Sequence, residues 1–194
     1  MRALSAVLLL LIVVVKPAHA APSALDRWSV ALEGDGIAYG LGGYSGILQV
    51  AAPNGFEVAL GSGRYTLPEF VTKTQDTYNE AGWDATSESI QVFRMGYRFA
   101  PPLANGFALH AIALHQRFRI SSEKLAGVSR FKQLGLGVSG GYYLHLGAGD
   151  YVYPVVSLTY DRVYQGSNAV QGRSYRVPSL GVSESVHVGW ERGF

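Results

Sequence analysis

Two-residue alternation dominates the chain from residue 27 to its end, and it leaves few folds open. In the stretch 130–146, Leu134, Leu136, Val138, Tyr142 and Leu144 take every second place, with Gln133, Gly135, Gly137, Ser139, Gly141 and His145 between them. The stretch 151–164 repeats the arrangement, setting Val152, Val156, Leu158, Tyr160 and Tyr164 against Ser157, Thr159 and Asp161. Successive side chains of a strand point to opposite faces, so such runs predict strands with one apolar face and one polar or glycine-rich face. No stretch beyond residue 26 carries helical periodicity.

Turn residues cut the alternation into eight runs: 27–34, 38–52, 55–66, 88–100, 106–120, 130–146, 151–164 and 176–194. Pro53-Asn54-Gly55 and the segments 101–106 and 147–150 are tight turns, in which proline, asparagine and glycine supply the backbone angles. The connections 67–87, 121–129 and 165–175 are longer, and the link at Gly34-Asp35-Gly36 is a short exception. Short connections imply antiparallel neighbours. Short turns on one rim and longer loops on the other match barrels that cross a membrane.

The apolar stripe could face lipid, or it could face the dry centre of a soluble barrel. Two features favour lipid. The runs reach ten residues and more, beyond the usual five or six. The face opposite the stripe is small and glycine-rich, drawing on 24 glycines, which suits a narrow interior better than a solvated surface. Charged residues make up 15% of the chain, against roughly 25% in ordinary soluble domains. The expected fold is therefore all-β, an up-and-down antiparallel transmembrane β-barrel of about eight strands. In the fifth run this reading puts Ile112, Leu114, Phe118 and Ile120 toward lipid, and Ala111, Ala113, His115, Arg117 and Arg119 inside.

Residues 1–20 read as an export signal. Arg2 precedes an apolar run ending at Val15, and Ala18-His19-Ala20 supplies the small-x-small pattern of a cleavage site. The run is too short for a membrane-crossing helix, which needs about 20 apolar residues. A signal at 1–20 and a barrel domain at 21–194 are expected, with export through the periplasm to a bacterial outer membrane. Removing Arg2 and Lys16 from the 16 basic residues leaves the rest matched with the 14 acids. A neutral chain without a basic stripe argues against nucleic acid as a partner. The absence of cysteine excludes disulfides and thiolate chemistry.

The chain closes on Val186-His187-Val188-Gly189-Trp190-Glu191-Arg192-Gly193-Phe194, with Trp190, Val188 and Val186 on the face of Phe194. A last strand ending in phenylalanine resembles the signal read by the bacterial barrel-assembly machinery, which makes Trp190 and Phe194 its candidate contacts. Arg192, where an apolar residue is commoner, and Glu184, on the nominal lipid face, depart from that pattern. With these features the chain resembles the small eight-stranded outer-membrane barrels, such as the membrane domain of outer membrane protein A and its shorter relatives. The resemblance implies a fold, with lipid and the assembly machinery as partners. It carries over no catalytic or ligand motif.

The inward face is expected to hold Glu33, Glu57, Arg94, Arg98, His115, Arg117, Asp161, His187 and Glu191. If the turn at 101–106 is level with the base of the third run, Glu57 lies near Arg98, while Gly61, Ala111 and Ala113 leave room for Arg94. Charges withdrawn from water need such pairing. The network can be read as a plug that braces the lumen or as the lining of a narrow ion or solute path. His110, His115, His145 and His187 lack the spacing of a metal site, and no cofactor is implied. His115, Ser139 and Asp161 contain the residue types of a hydrolase triad, brought together only by their expected inward parity. In the loop 67–87, Phe70, Tyr78 and Trp83 among polar residues suit contact with an extracellular partner. The functional expectation is a structural or surface-interaction role without enzymatic activity. A narrow channel for a small or apolar solute is the alternative, and a lipid A-modifying enzyme the third reading.

Overall fold

A computed structural model describes residues 27–67 and 82–194. Its strands are β1 (Ser29–Asp35), β2 (Tyr44–Ala51), β3 (Phe56–Thr66), β4 (Trp83–Arg98), β5 (Gly106–Ser122), β6 (Val128–Gly147), β7 (Asp150–Gly166) and β10 (Leu180–Gly193). A short hairpin, β8 (Ala169–Val170) with β9 (Arg173–Ser174), lies between β7 and β10. Each long strand pairs antiparallel with its neighbours. The sheet closes where β1 meets β10, from Ser29 opposite Gly193 to Asp35 opposite His187. Closure removes both sheet edges, the condition for strands to sit in a medium that cannot hydrogen-bond. The expected eight-stranded up-and-down barrel is the observed fold.

Three boundaries differ from the alternation by more than two residues. Residues 38–43, read as strand, form part of a one-turn helix α1 (Gly36–Gly40) and a turn in which Gly42 has φ +71°. Asp35 is the cause: its side chain accepts from the backbone N–H of Ile37 at 2.9 Å and of Ala38 at 3.4 Å, capping the helix. Strand β4 begins at Trp83, not 88, so the connection between β3 and β4 is shorter than expected. The last strand begins at Leu180, not 176; Pro178, which has no N–H to give a ladder, lies just before it.

The apolar stripes of β6 and β7 face outward. Leu134, Leu136, Val138 and Leu158 are 42–58% exposed, whereas Gln133 and Ser139 are 6% and 4% exposed inside. Phe107, Tyr142, Phe56, Tyr97, Trp190 and Phe194 ring the outer wall toward the short-turn rim, and Tyr160 and Tyr164 lie higher. An apolar outer belt bounded by aromatics suits lipid and does not suit water.

The fifth strand corrects its expected parity. Ala108, His110, Ile112, Gln116, Phe118 and Ile120 point inward, whereas Ala111, Ala113, His115, Arg117 and Arg119 belong to the outer face. The reason lies at the long-loop end. There Trp83, Ala85, Phe118, Ile120 and Phe131 form an apolar cluster inside the barrel, with Val170 and Tyr175 of the β7–β10 connection folded onto it. Trp83 meets Tyr175 edge-on at 5.7 Å, and Phe118 stacks on Phe131 at 5.1 Å. Above the lipid-facing belt the pattern thus reverses to that of a water-soluble barrel, greasy inside and charged outside.

Candidate functional site in the barrel floor

At the opposite end, charged side chains cross the lumen. Arg98 of β4 donates from Nη1 to Glu191 of β10 (3.2 Å to Oε1, 2.9 Å to Oε2) and from Nε to Glu57 of β3 at 3.1 Å. Four strand intervals separate β4 from β10 in the barrel, so the first contact spans its diameter. One layer higher, Arg94 Nη2 donates to Glu33 Oε1 of β1 at 2.6 Å and to the side-chain oxygen of Gln49. Gln49 in turn donates to Glu57 Oε2 at 3.0 Å. All these side chains are buried.

Three histidines complete the carboxylates. His187 Nδ1 lies 2.7 Å from Glu33 Oε2, His145 Nε2 lies 2.8 Å from Glu191 Oε2, and His110 Nε2 bonds Glu57 Oε1. Each ring nitrogen is the donor, since an ionised carboxylate only accepts. Ser29 Oγ adds a bond to Glu191 at 2.5 Å. Three carboxylates thus face two guanidinium groups and three imidazoles, which supplies the pairing that buried charge requires.

Tyrosines fill the remaining width. The rings of Tyr143 and Tyr153 stack at 4.1 Å with 10° between planes, and the Arg98 guanidinium lies 3.8 Å from the centre of the Tyr143 ring. The Tyr143 hydroxyl sits 3.0 Å from Gln49 Oε1 and 3.1 Å from Glu57 Oε1, reaching from β6 to strands across the barrel. From below, the turn after β4 folds inward. Pro102 and Ala104 are buried, and Leu103, with φ +63°, aims its backbone N–H at Glu191 Oε2 over 3.3 Å.

Of the residues singled out in the sequence, Glu33, Glu57, Arg94, Arg98, His187 and Glu191 meet in this floor. Gly61 faces inward as expected, but Ala111 and Ala113 lie on the outer wall, so the room beside Arg94 comes from Ala59, its cross-strand partner. Asp161 points into the lumen well above the floor and accepts from Thr159 at 3.3 Å. His115 and Arg117 are outside it. His115 bonds Gln91 and Tyr164 on the outer face, and Arg117 pairs with Glu88 at 3.2 Å. With His115 outward and Ser139 inward, the three triad-type residues do not converge. Trp83, expected in an exposed loop, is 6% exposed in the apolar cap; Phe70 and Tyr78 lie outside the described residues. Gln49, His110, His145, Tyr143 and Tyr153 were missed. Inward parity alone marks them, because neutral and aromatic side chains announce no ion pair.

An ionic floor within and an apolar belt without define a small, closed eight-stranded transmembrane β-barrel with side chains packed across its lumen. No protein-family model matches the chain, and no curated protein matches it. Among solved structures, the chain is similar to the N-terminal β-barrel domain of OprF from Pseudomonas aeruginosa. Identity is 12% over 86% of this chain and 98% of that one, with a TM-score of 0.49. Neisserial surface protein A is 14% identical over 87% of this chain and 95% of its own (TM-score 0.42). A major outer membrane protein from Thermus thermophilus is 15% identical over 85% and 99% (TM-score 0.45). The closed register and the outward apolar belt of this chain define the barrel class by themselves.

Proposed function

We propose that this chain is an outer-membrane barrel, exported through the periplasm and handed to the barrel-assembly machinery through a last strand carrying Trp190 and Phe194, with a structural or surface-interaction role. The observation that carries the reading is the Arg98–Glu191 contact across the barrel diameter, backed by Arg94–Glu33 and the stacked tyrosines. A hydrated path would have to part side chains already held together in ion pairs, and opening it would strand buried charge. The floor is a plug in this reading, and the work of the molecule is done by its outer wall and its long connections. The connection containing Phe70 and Tyr78 is the proposed contact region for an extracellular partner.

Planar-bilayer recordings of the full chain test the plug. No stable current steps are expected, and Arg94→Ala should give small, fluctuating ones. Ready conduction by the unaltered protein would replace this reading with that of a narrow channel. Shortening the connection between β3 and β4 should leave the barrel intact and abolish surface binding, if that connection is the contact.

A further inference from the structure

On the outer wall, immediately above the apolar belt, β5 and β6 place cations directly opposite one another. Arg117 is the cross-strand partner of Lys132, and Arg119 of Arg130. Arg162 of β7 stands beside them, opposite Leu134. Like charges facing each other across a ladder are mutually destabilising, so four on two adjacent strands is an arrangement in need of a counter-charge. Among the described residues little of it is supplied. Glu88, at a register shift in β4, reaches Arg117 Nε and Arg130 Nε at 3.2 Å each, and both arginine side chains stay about half exposed. Asp84 shares the outer face one step further from the belt, opposite Ser121.

The height of the cluster identifies what would meet it. Below Lys132, the outward places of β6 fall on Leu134, Leu136, Val138, Gly140, Tyr142 and Leu144, the last of them itself buried. At a rise of about 3.4 Å per residue and a tilt of roughly 40°, that stretch covers about 25 Å along the barrel axis, the height of a lipid-facing band. The cations therefore begin where acyl chains end and headgroups start. We propose that this cluster is a docking surface for the phosphorylated headgroups of the membrane leaflet on the long-loop side. Forked guanidinium groups at Arg117, Arg119, Arg130 and Arg162 suit phosphate oxygens, and Glu88 competes with phosphate for two of them. The proposal rests on the membrane reading of the barrel. It gives the outward turn of Arg117 and Arg119 a purpose beyond solvation.

Native mass spectrometry of the full chain in neutral detergent tests it, with phosphatidic acid compared against phosphatidylcholine of the same chain length. Phosphatidic acid should be retained at several-fold lower concentration. Arg119→Gln combined with Arg130→Gln should cut that preference roughly tenfold, since each basic residue at an anionic surface contributes substantially. Glu88→Gln should increase it. A preference absent in the unaltered chain, or one that survives replacement of both arginines in a folded barrel, overturns the proposal. Displacement by an equal concentration of inorganic phosphate overturns it too, marking a free-phosphate site instead. Insertion into phosphatidylcholine vesicles, read by resistance to urea extraction, checks the underlying reading separately. Failure to insert removes the membrane barrel itself, whereas insertion without phosphatidic acid preference removes only the docking surface.

Discussion

Arg98 and Glu191, 93 residues apart in sequence, bring Nη1 within 2.9 Å of Oε2 across the full width of the barrel, both side chains fully buried. Removing Arg98 takes the guanidinium away from both Glu191 and Glu57 and leaves two buried carboxylates short of a cation. Arg98→Ala should cost about 3–5 kcal/mol, the usual penalty for breaking a buried pair. Adding Glu191→Gln to that variant should recover part of the loss. Urea midpoints of unfolding from lipid vesicles read both effects; an Arg98→Ala barrel unfolding at the same urea concentration as the parent would show that the floor braces nothing.

Gly137 faces the lumen where β6 and β7 curve together, and a β-carbon there would collide with the Leu158 carbonyl oxygen and lie 2.7 Å from Thr159 Cα. Those are backbone atoms of the neighbouring strand, so relief means parting the ladder. Gly137→Ala is expected to destabilise by about 1–3 kcal/mol, the range for overpacking. Gly46→Ala, at an outward place with open space around it, should be close to neutral. Temperatures at which the two variants lose heat-modifiable gel mobility give the comparison.

Asp35 joins three elements at the β1–β10 seam. It caps α1, its Oδ1 accepts from Ser185 Oγ of β10 at 2.5 Å, and its N–H donates to Ser45 Oγ of β2 at 2.5 Å. Beyond the Asp35–His187 pair, β10 has no β1 partner, so this side chain, with α1 packed beside it, holds the seam there. Asp35→Ala should lose about 1–2 kcal/mol as a cap and a clasp go together. Amide exchange should speed up over residues 36–46 and 180–186, with the floor residues unaffected. Uniform exchange across both regions would contradict the clasp.

Tyr175 closes the long-loop end against Trp83 and Phe131, and burial pushes its phenol above the ordinary tyrosine range. A raised folded value means the folded state holds the proton more tightly. The stabilisation is therefore complete below the unfolded value near 10 and is lost as pH rises beyond it. Trp83 emission should stay blue through about pH 10 and shift red only as pH rises well beyond it, while Tyr175→Phe keeps it blue. Of the three tryptophans, Trp28 and Trp190 are largely exposed, so the shift is best read with both replaced by phenylalanine. A red shift of equal size in Tyr175→Phe would place the titrating group elsewhere.

Strand number, the tight turns and the outward stripes of β6, β7 and β10 were legible because period-two alternation is local geometry. In β5 the same rule misled. Both of its faces carry aliphatic residues below Gln116, and above it Phe118 and Ile120 turn inward to the cap while Arg117 and Arg119 turn outward. Alternation states that two faces differ; it does not state at which height lipid gives way to water. Trp83 failed for the same reason, since an aromatic ring near a loop looks exposed until the β7–β10 connection folds Tyr175 onto it.

The chain's own pattern determined a barrel of eight strands and put Glu33, Glu57, Arg94, Arg98 and Glu191 on one face of their strands, because a side chain's direction follows from its place along an extended backbone. Which carboxylate meets which cation was decided only when the sheet closed. Arg98 reaches Glu191, and Tyr143 reaches Gln49, across four strand intervals. Those distances depend on barrel radius and stagger, quantities of the assembled sheet that no single strand contains.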